Sequence, residues 1–148
     1  MIHLVYCDDK EKELEKILQG EKTMVIRGAA GRKTPHSRVF EGEMLYFMEK
    51  GTAKITASAT VTSVQNYIKL TDEEISEIIL KNQDKLKLSE KQKERWRKKC
   101  LILVEFKDVK EINPMEYERQ NNMDDWLILD KIEDVIAGSS IQFKYKTL

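Results

Sequence analysis

The sequence predicts the α+β class, with a small, highly curved β-sheet or barrel and flanking helices. Residues 43–64 indicate a β-hairpin, because the second arm alternates apolar and hydroxyl side chains with a period of two residues. The whole chain follows the order β-α-β-loop-β-β-α-α-β, without the regular alternation that a doubly wound sheet requires. We therefore predict one domain over residues 1–137, followed by a hinge and a C-terminal edge strand or tail over residues 138–148.

The beginning of the chain supplies two strands and a helix. Residues 2–6 (IHLVY) are rich in β-prone side chains and predict the first strand. Asp8 or Asp9 is suited to cap the helix that follows, and Gly20 is suited to end it in a left-handed conformation. Residues 22–27 (KTMVIR) predict the second strand.

Two further helices follow the hairpin, whose turn falls at residues 49–51. Thr71-Asp72-Glu73-Glu74 has the pattern of a capping box, in which a hydroxyl and a carboxylate three residues later satisfy the first backbone N–H groups of a helix. Ser89 is followed by Gln92 at the same spacing, which predicts a second helix over residues 89–99.

The last part of the chain predicts extended structure. Residues 100–106 (CLILVEF) form a continuous apolar run that indicates a buried strand. Asn113-Pro114 is expected to break this extended segment, and residues 115–119 to form one helical turn. Residues 124–129 (DDWLIL) predict a further strand, and residues 141–147 (IQFKYKT) alternate like an edge strand.

The composition excludes several classes of protein. The chain is 41% hydrophobic and 35% charged, which is typical of a soluble globular domain. No apolar run approaches the roughly 20 residues of a membrane span, and the first residues lack the features of a secretory signal. Cys7 and Cys100 have no CxxC partner and predict buried thiols in a reducing cytoplasm. His3 and His36 show no metal-site spacing with them, so we predict a cytoplasmic protein with no metal and no cofactor.

The net charge of zero conceals a segregation of charge along the chain. Residues 21–38 carry five Lys or Arg against one Glu, and residues 81–99 carry nine against three acidic residues. Residues 108–135 reverse this balance, with nine acidic residues against three basic ones. Such a chain can present a positive face to a polyanion. The acidic segment is expected to be a solvated face, and one hypothesis is that it shields the basic face when no ligand is bound.

The basic loop over residues 27–38 is the main candidate for a binding site. Loops of about twelve residues are uncommon in compact domains and are often functional. Its glycines allow backbone N–H groups to approach an anion, and its arginines present planar guanidinium groups suited to phosphate. The alternative is a surface loop whose charges only keep the protein soluble.

The order of these motifs resembles the ASCH family of the PUA-like superfamily. The matching segments are ILQGEKT (17–23), Arg27, Glu41–Glu43, Ile55–Val64, Thr71–Glu74 and Val104–Phe106. Together they cover roughly residues 1–110 of the chain. The resemblance implies a small β-barrel with a cleft beside the strand that begins with Lys-Thr (the KT strand), and in the family that cleft is associated with recognition of RNA or modified nucleosides.

Some members of the family hydrolyse acetylated cytidine with a Lys, a Thr two positions after the KT threonine, and a Glu. Lys22 matches the Lys, and Glu73 or Glu74 lies near the position of the Glu. Val25 stands where the attacking hydroxyl belongs, which closes the covalent route at that position unless Thr23 substitutes. If the chain were an enzyme, the resemblance would imply an amidohydrolase with Lys22, Thr23 and Glu74 as catalytic groups. The missing hydroxyl argues against that activity.

These observations predict a protein that binds RNA or a modified nucleotide through a basic cleft beside the KT strand. Phosphate contacts would supply the affinity, and stacking and hydrogen bonding of an unpaired base would supply the specificity. The predicted contact residues come from the KT strand, the basic loop and the helix over residues 89–99. They are Lys22, Thr23, Arg27, Arg32, Lys33, His36, Ser37, Arg38, Arg95 and Trp96.

Other functions stay open at this point. One is an amidohydrolase that acts on an acylated or otherwise modified nucleoside, and another is a protein-interaction module whose charged faces pair with a partner. Trp96 also has two interpretations, because a Trp in a basic helix can stack on a base or, more commonly, anchor the helix to the core. We expect no membrane partner, and a homo-oligomer is compatible with the sequence.

Overall fold

The computed structural model describes residues 1–120 and 125–141, which form six β-strands and three α-helices. In chain order these are β1 (Ile2–Cys7), α1 (Glu13–Leu18), β2 (Met24–Ala29), β3 (Met44–Glu49), β4 (Lys54–Tyr67), α2 (Asp72–Leu86), α3 (Glu90–Arg95), β5 (Cys100–Glu116) and β6 (Trp126–Leu129). A turn of 3-10 helix follows at Ile132–Val135. The predicted hairpin is present as β3 and β4, and its turn contains Gly51 with a φ of +88°.

The six strands form one mixed sheet in the order β2-β5-β4-β3-β1-β6. Strands β1 and β3 run parallel, and every other neighbouring pair is antiparallel. Register shifts interrupt the β4–β5 ladder at three points and the β3–β4 ladder at one. Because such bulges bend a strand and increase its twist, the sheet curls into a half-barrel with β2 and β6 at its edges. This architecture confirms the predicted α+β class.

The sheet has an apolar core on each face. The core inside the half-barrel collects side chains from the strands and from α1, among them Val25, Phe47 and Trp126. On the outside, Ile75 and Leu86 of α2, with Trp96 after α3, cover β2 and β5. Burying one such side chain contributes about 1.5–3 kcal/mol to stability. These contacts hold the helical segment firmly against β2 and β5.

The predicted helix caps are largely confirmed. Thr71 and Glu74 form a complete capping box at the start of α2, and Ser89 and Gln92 form another at the start of α3. Gly20 follows α1 with a φ of +79°, a conformation that side chains with a Cβ rarely adopt.

The predicted cap of α1 is wrong. The side chain of Asp8 accepts hydrogen bonds from the backbone N–H groups of Lys10 and Glu11, at 2.9 and 3.3 Å, and so closes a turn before the helix. Lys12 occupies the N-cap position with a φ of +53° and gives no side-chain cap. The helix begins only after this turn, and neither Asp8 nor Asp9 caps it.

Helix α3 is shorter than predicted, because it ends at Arg95 and Trp96 is its C-cap. The backbone carbonyl of Lys99 accepts a 3.0 Å hydrogen bond from the N–H of Leu70. This bond continues the pairing of Tyr67 with Leu101, so residue 99 already belongs to the approach to β5 rather than to the helix.

The predicted break at Asn113-Pro114 and the helical turn at residues 115–119 are also wrong, because β5 continues to Glu116. Pro114 lies where the β4–β5 register shifts, between the pairs Ala57–Glu111 and Ile55–Met115. Strand β2 pairs only with residues 100–105 of β5, so the far part of β5 has one neighbouring strand. A proline without its N–H is tolerated at such a bulge on an exposed edge.

The predicted strand over residues 124–129 is present as β6, which pairs with β1. The predicted edge strand over residues 141–147 lies outside the described residues, apart from Ile141. Among the helices of the described residues, none combines the length and the apolar character needed to cross a membrane.

Candidate functional site

Arg27 spans the open side of the half-barrel. It belongs to edge strand β2, its side chain is buried, and its Nη2 donates a hydrogen bond to the carbonyl oxygen of Tyr6 on β1 at 2.8 Å. The same Nη2 lies 3.5 Å from the Oε1 of Glu13 on α1, and Nη1 donates to the carbonyl oxygen of Ile26 at 2.7 Å. The guanidinium therefore joins β2, β1 and α1 at one point.

Two indole rings enclose the same guanidinium. The Cζ of Arg27 lies 5.5 Å from the ring centroid of Trp96 and 5.8 Å from that of Trp126. At these distances a cation is attracted by the face of an aromatic ring. Trp96 is buried, in agreement with the core-anchoring interpretation of this residue.

Two buried polar atoms at this point have no hydrogen-bond partner within the described part of the chain. They are the Nε of Arg27, a donor, and the Oε1 of Glu13, an acceptor, although the latter lies in ion-pair range of Arg27. Both residues line a small compartment of about 10 Å³, which is close to the space that one water molecule needs. The compartment can therefore receive a water molecule or a small polar group.

Ion pairs surround the compartment. Arg95 lies 3.0 Å from the carboxylate of Asp125 and 3.5 Å from that of Asp8, and its guanidinium stacks 4.8 Å from the ring centroid of Trp96. Lys50, from the β3–β4 turn, lies 2.9 Å from the other carboxylate oxygen of Asp125. Partial burial raises the pKa of Asp125, but the hydrogen bond from Lys50 and the charges of neighbouring cations outweigh it, so the pKa is lowered overall.

A larger cavity of about 380 Å³ adjoins the compartment. It is lined by Tyr6, Met48, Lys50, Gly51, Ala53, Tyr117, Arg119 and Gln120. The rings of Tyr6 and Tyr117 meet edge to face with centroids 5.8 Å apart, and their hydroxyl groups are hydrogen-bonded to each other. Tyr6 and Lys50 line both spaces, so we treat the cavity and the compartment as one site, the Tyr6 cleft.

The structure places three of the predicted contact residues in the Tyr6 cleft, namely Arg27, Arg95 and Trp96. Lys22 and Thr23 are not among its lining residues. Lys22 is buried, and its ammonium donates a hydrogen bond to the carbonyl oxygen of Leu86 at the end of α2.

The environment of Lys22 changes its acidity. Burial lowers the pKa of its ammonium group to about 8, with the charge of Arg27 acting in the same direction and the charge of Glu13 opposing it. Both backbone polar groups of Thr23 are hydrogen-bonded. Its N–H donates to the carbonyl of Lys85, and its carbonyl accepts from the N–H of Phe106.

Glu74 lies far from Lys22. Its carboxylate accepts a 2.9 Å hydrogen bond from the N–H of Thr71 in the capping box at the start of α2, whereas Lys22 contacts Leu86 at the end of the same helix. Twelve residues at a rise of 1.5 Å separate these points by about 18 Å. The structure therefore does not bring the predicted catalytic pair together.

The basic loop is attached to the end of β4. The imidazole of His36 is buried, with its Nε2 3.0 Å from the carbonyl oxygen of Tyr67 and its Nδ1 2.8 Å from the hydroxyl of Ser37. The N–H of Ser37 donates to the side-chain oxygen of Asn66 at 2.8 Å. These polar groups hold the loop in place.

The remaining predicted loop residues do not converge on the cleft. Arg32 and Lys33 are exposed and Arg38 is half-buried, and none of the three lines the cavity or the compartment. No group of three or more His, Cys, Asp or Glu side chains among residues 1–120 and 125–141 is arranged to hold a metal ion.

Most lining residues of the Tyr6 cleft are absent from the predicted contact residues, among them Tyr6, Glu13, Lys50, Tyr117, Arg119 and Asp125. Each looked like part of a strand, a helix or a turn. Their common signal is an aromatic or charged side chain at the end of an element, and only the pairing of distant strands shows that these ends meet.

Comparison with solved structures shows that the half-barrel is an ASCH-like fold. The chain superposes on the ASCH protein of Zymomonas mobilis with a TM-score of 0.59 and 11% sequence identity, over 78% of this chain and 73% of that protein. A serine-to-alanine variant of the same protein gives a TM-score of 0.60 at 12% identity, with the same coverage. A tyrosine-to-phenylalanine variant gives 0.59 at 13% identity. The predicted ASCH-like fold is thereby confirmed.

Sequence comparison adds nothing to this result, because no protein-family model and no curated protein sequence matches the chain. At 11–13% identity the likeness to the solved structures concerns the fold alone.

Proposed function

We propose that this protein binds RNA or a nucleotide in the Tyr6 cleft. The observation that carries the proposal is the cavity of about 380 Å³, whose lining combines two tyrosine rings with two cationic side chains, Lys50 and Arg119. This volume falls within the range of about 300–1,000 Å³ that is usual for small-molecule sites. The proposed binding surface is thus the Tyr6 cleft, whereas the sequence favoured the basic loop.

The lining suits the two parts of a nucleotide. Tyrosine rings provide faces on which an unpaired base stacks, with about 1–3 kcal/mol for each stacked base. Lysine and arginine bind phosphate oxygens, and arginine does so with two parallel N–H groups. Arg119 is exposed, and it forms no ion pair with another described residue.

The proposal is tested by measuring the binding of a short, fluorescently labelled single-stranded RNA at several salt concentrations. We expect Arg119→Ala to weaken binding and to reduce the slope of log affinity against log salt by about one unit, as the loss of one phosphate contact does. Arg32→Ala is the matched control, since it removes an exposed arginine outside the cleft. If replacement of the basic-loop residues Arg32, Lys33 and Arg38 by Ala abolished binding while Arg119→Ala left it unchanged, the cleft proposal would be wrong.

A second candidate function is the amidohydrolase, which one observation favours. The pKa of Lys22 is lowered to about 8, so near neutral pH its amine can exchange a proton more readily than an ordinary lysine. Its ammonium is bound to the carbonyl of Leu86, however, and Val25 provides no hydroxyl nucleophile. Release of acetate from acetylated cytidine by the wild type, lost in a folded Lys22→Met variant, would establish this activity. Without such turnover, ligand binding stands as the proposed function.

A further inference from the structure

We propose that Lys50 and Arg95 form a phosphate subsite of the Tyr6 cleft, and that the carboxylate of Asp125 occupies this subsite in the ligand-free protein. This inference rests on the proposed function and specifies its ligand, since a phosphorylated nucleotide would be preferred over a nucleoside. The subsite itself can also be tested without RNA, with inorganic phosphate.

The carboxylate of Asp125 is shared between two cations from separate parts of the chain. Its Oδ1 lies 2.9 Å from the Nζ of Lys50, and its Oδ2 lies 3.0 Å from the Nη2 of Arg95. Two oxygens of a phosphate group are spaced similarly to those of a carboxylate and accept the same charge-assisted hydrogen bonds. The carboxylate of Asp125 therefore binds these two cations in the way that the phosphate of a ligand would.

The charges around the compartment balance only when Asp125 is counted. The charged residues that line it are Asp8, Glu13, Arg27, Lys50, Arg95 and Asp125, three of each sign. Displacement of the Asp125 side chain would leave one positive charge in excess in a partly buried place. A phosphate on Lys50 and Arg95 would neutralise it.

The subsite is accessible and lies beside the larger cavity. The side chains of Lys50, Arg95 and Asp125 are 37%, 41% and 29% exposed, so these ion pairs can exchange with an anion from solution. Lys50 also lines the larger cavity with Tyr6 and Tyr117. A nucleotide whose phosphate lies on Lys50 would therefore have its base next to the tyrosine rings.

Asp125 belongs to the acidic segment for which the sequence suggested a shielding role. Two of its neighbours in the structure, Lys50 and Arg95, are cations of the proposed binding site. In the subsite proposal the shielding is local, because one carboxylate competes with the ligand for two cations.

The test compares wild type with Asp125→Asn, which keeps the shape of the side chain and removes its charge. Binding is measured to two forms of one short RNA, with a 5′-phosphate and with a 5′-hydroxyl. We expect Asp125→Asn to bind the 5′-phosphorylated RNA about tenfold more tightly than wild type does, because its side chain no longer competes with the phosphate for the two cations. Asp108→Asn is the matched control, because Asp108 is exposed and outside the cleft, and it should bind like wild type.

Inorganic phosphate tests the subsite independently of RNA. It should raise the melting temperature of Asp125→Asn, and it should not raise that of the Asp125→Asn/Lys50→Met double variant. A gain in affinity for both RNA forms would also support the subsite and assign it to an internal phosphodiester.

Two results separate failure of the subsite from failure of the proposed function. If wild type and Asp125→Asn bind RNA equally and phosphate stabilises neither, the subsite is overturned and RNA binding by the cleft stands. If phosphate stabilises Asp125→Asn but no RNA or nucleotide binds, the subsite is supported and the proposed function is overturned.

Discussion

The Nη2 of Arg27 on β2 lies 2.8 Å from the carbonyl oxygen of Tyr6 on β1 and donates a hydrogen bond to it. Strand β2 is one edge of the sheet, and β1 is next to the other edge, so a single side chain connects the two sides of the open half-barrel. Glu13 is its ion-pair partner at 3.5 Å. The arginine that the sequence placed in a ligand site thus also has a role in holding the fold together.

We expect Arg27→Met to lower the free energy of unfolding by about 3 kcal/mol, because it leaves the buried carboxylate of Glu13 without its cation. Urea denaturation measures the change. The double variant Arg27→Met/Glu13→Gln should recover part of the loss, because it contains no unpaired carboxylate at position 13. Arg32→Met, at an exposed position, should stay within about 0.5 kcal/mol of wild type. A loss of the same size in both arginine variants would contradict a specific role for Arg27.

Local features of the fold were predictable because their causes are local. A hydroxyl and a carboxylate or amide three residues apart favour a helix start, and Thr71 and Ser89 each provide one in the structure. The period-two pattern of the hairpin likewise needs only neighbouring residues. Pro114 shows the limit, because a bulge and the absence of a second neighbouring strand decide whether a proline breaks a strand.

The binding site was harder to predict because it depends on distant pairings. The sequence favoured the basic loop, where the cations are close along the chain, yet His36 and Ser37 hold that loop to the end of β4. Lys50 and Tyr117 reach the same cavity only because the β4–β5 ladder brings the end of β5 beside the hairpin turn. Counting charges along the sequence cannot reveal that arrangement.

Lys22 should make the stability of the protein depend on pH in the alkaline range. Burial lowers the pKa of its ammonium group from 10.5 to about 8 in the folded state. Between about pH 8 and 10.5 the unfolded chain therefore binds more protons, and the stability of wild type should rise with pH relative to that of Lys22→Met. Urea denaturation at several pH values measures this difference. Lys81→Met replaces an exposed lysine of α2, and its difference from wild type should stay flat. A flat difference for Lys22→Met as well would show that its amine is not desolvated.

His3 should make stability depend on pH in the acidic range. Its Nδ1 accepts a 2.9 Å hydrogen bond from the indole N–H of Trp126, and its Nε2 donates to Glu43 at 2.9 Å, which requires the neutral ring. Burial lowers the pKa of His3 below 6.5, although Glu43 opposes the shift. As the pH falls below 6.5 the unfolded chain is protonated first, so wild type should lose stability relative to His3→Gln. The stability of both proteins is measured between about pH 5 and 7, the range in which histidine titrates. Parallel profiles would contradict the expected loss of stability.

Tyr117 should contribute to ligand binding through its ring rather than its hydroxyl. Tyr117→Phe loses the hydrogen bond to Tyr6 but keeps a stacking surface, so we expect its affinity for single-stranded RNA to remain within about twofold of wild type. Tyr117→Ala removes the ring and should cost about 1–3 kcal/mol of binding free energy, or roughly five- to 150-fold in affinity. Phe40→Ala is the control, because Phe40 is an aromatic side chain near the basic loop that is 62% exposed and outside the cleft. If Phe40→Ala weakened binding and Tyr117→Ala did not, the ligand would bind on the loop side of the molecule, and the Tyr6 cleft would have no part in binding it.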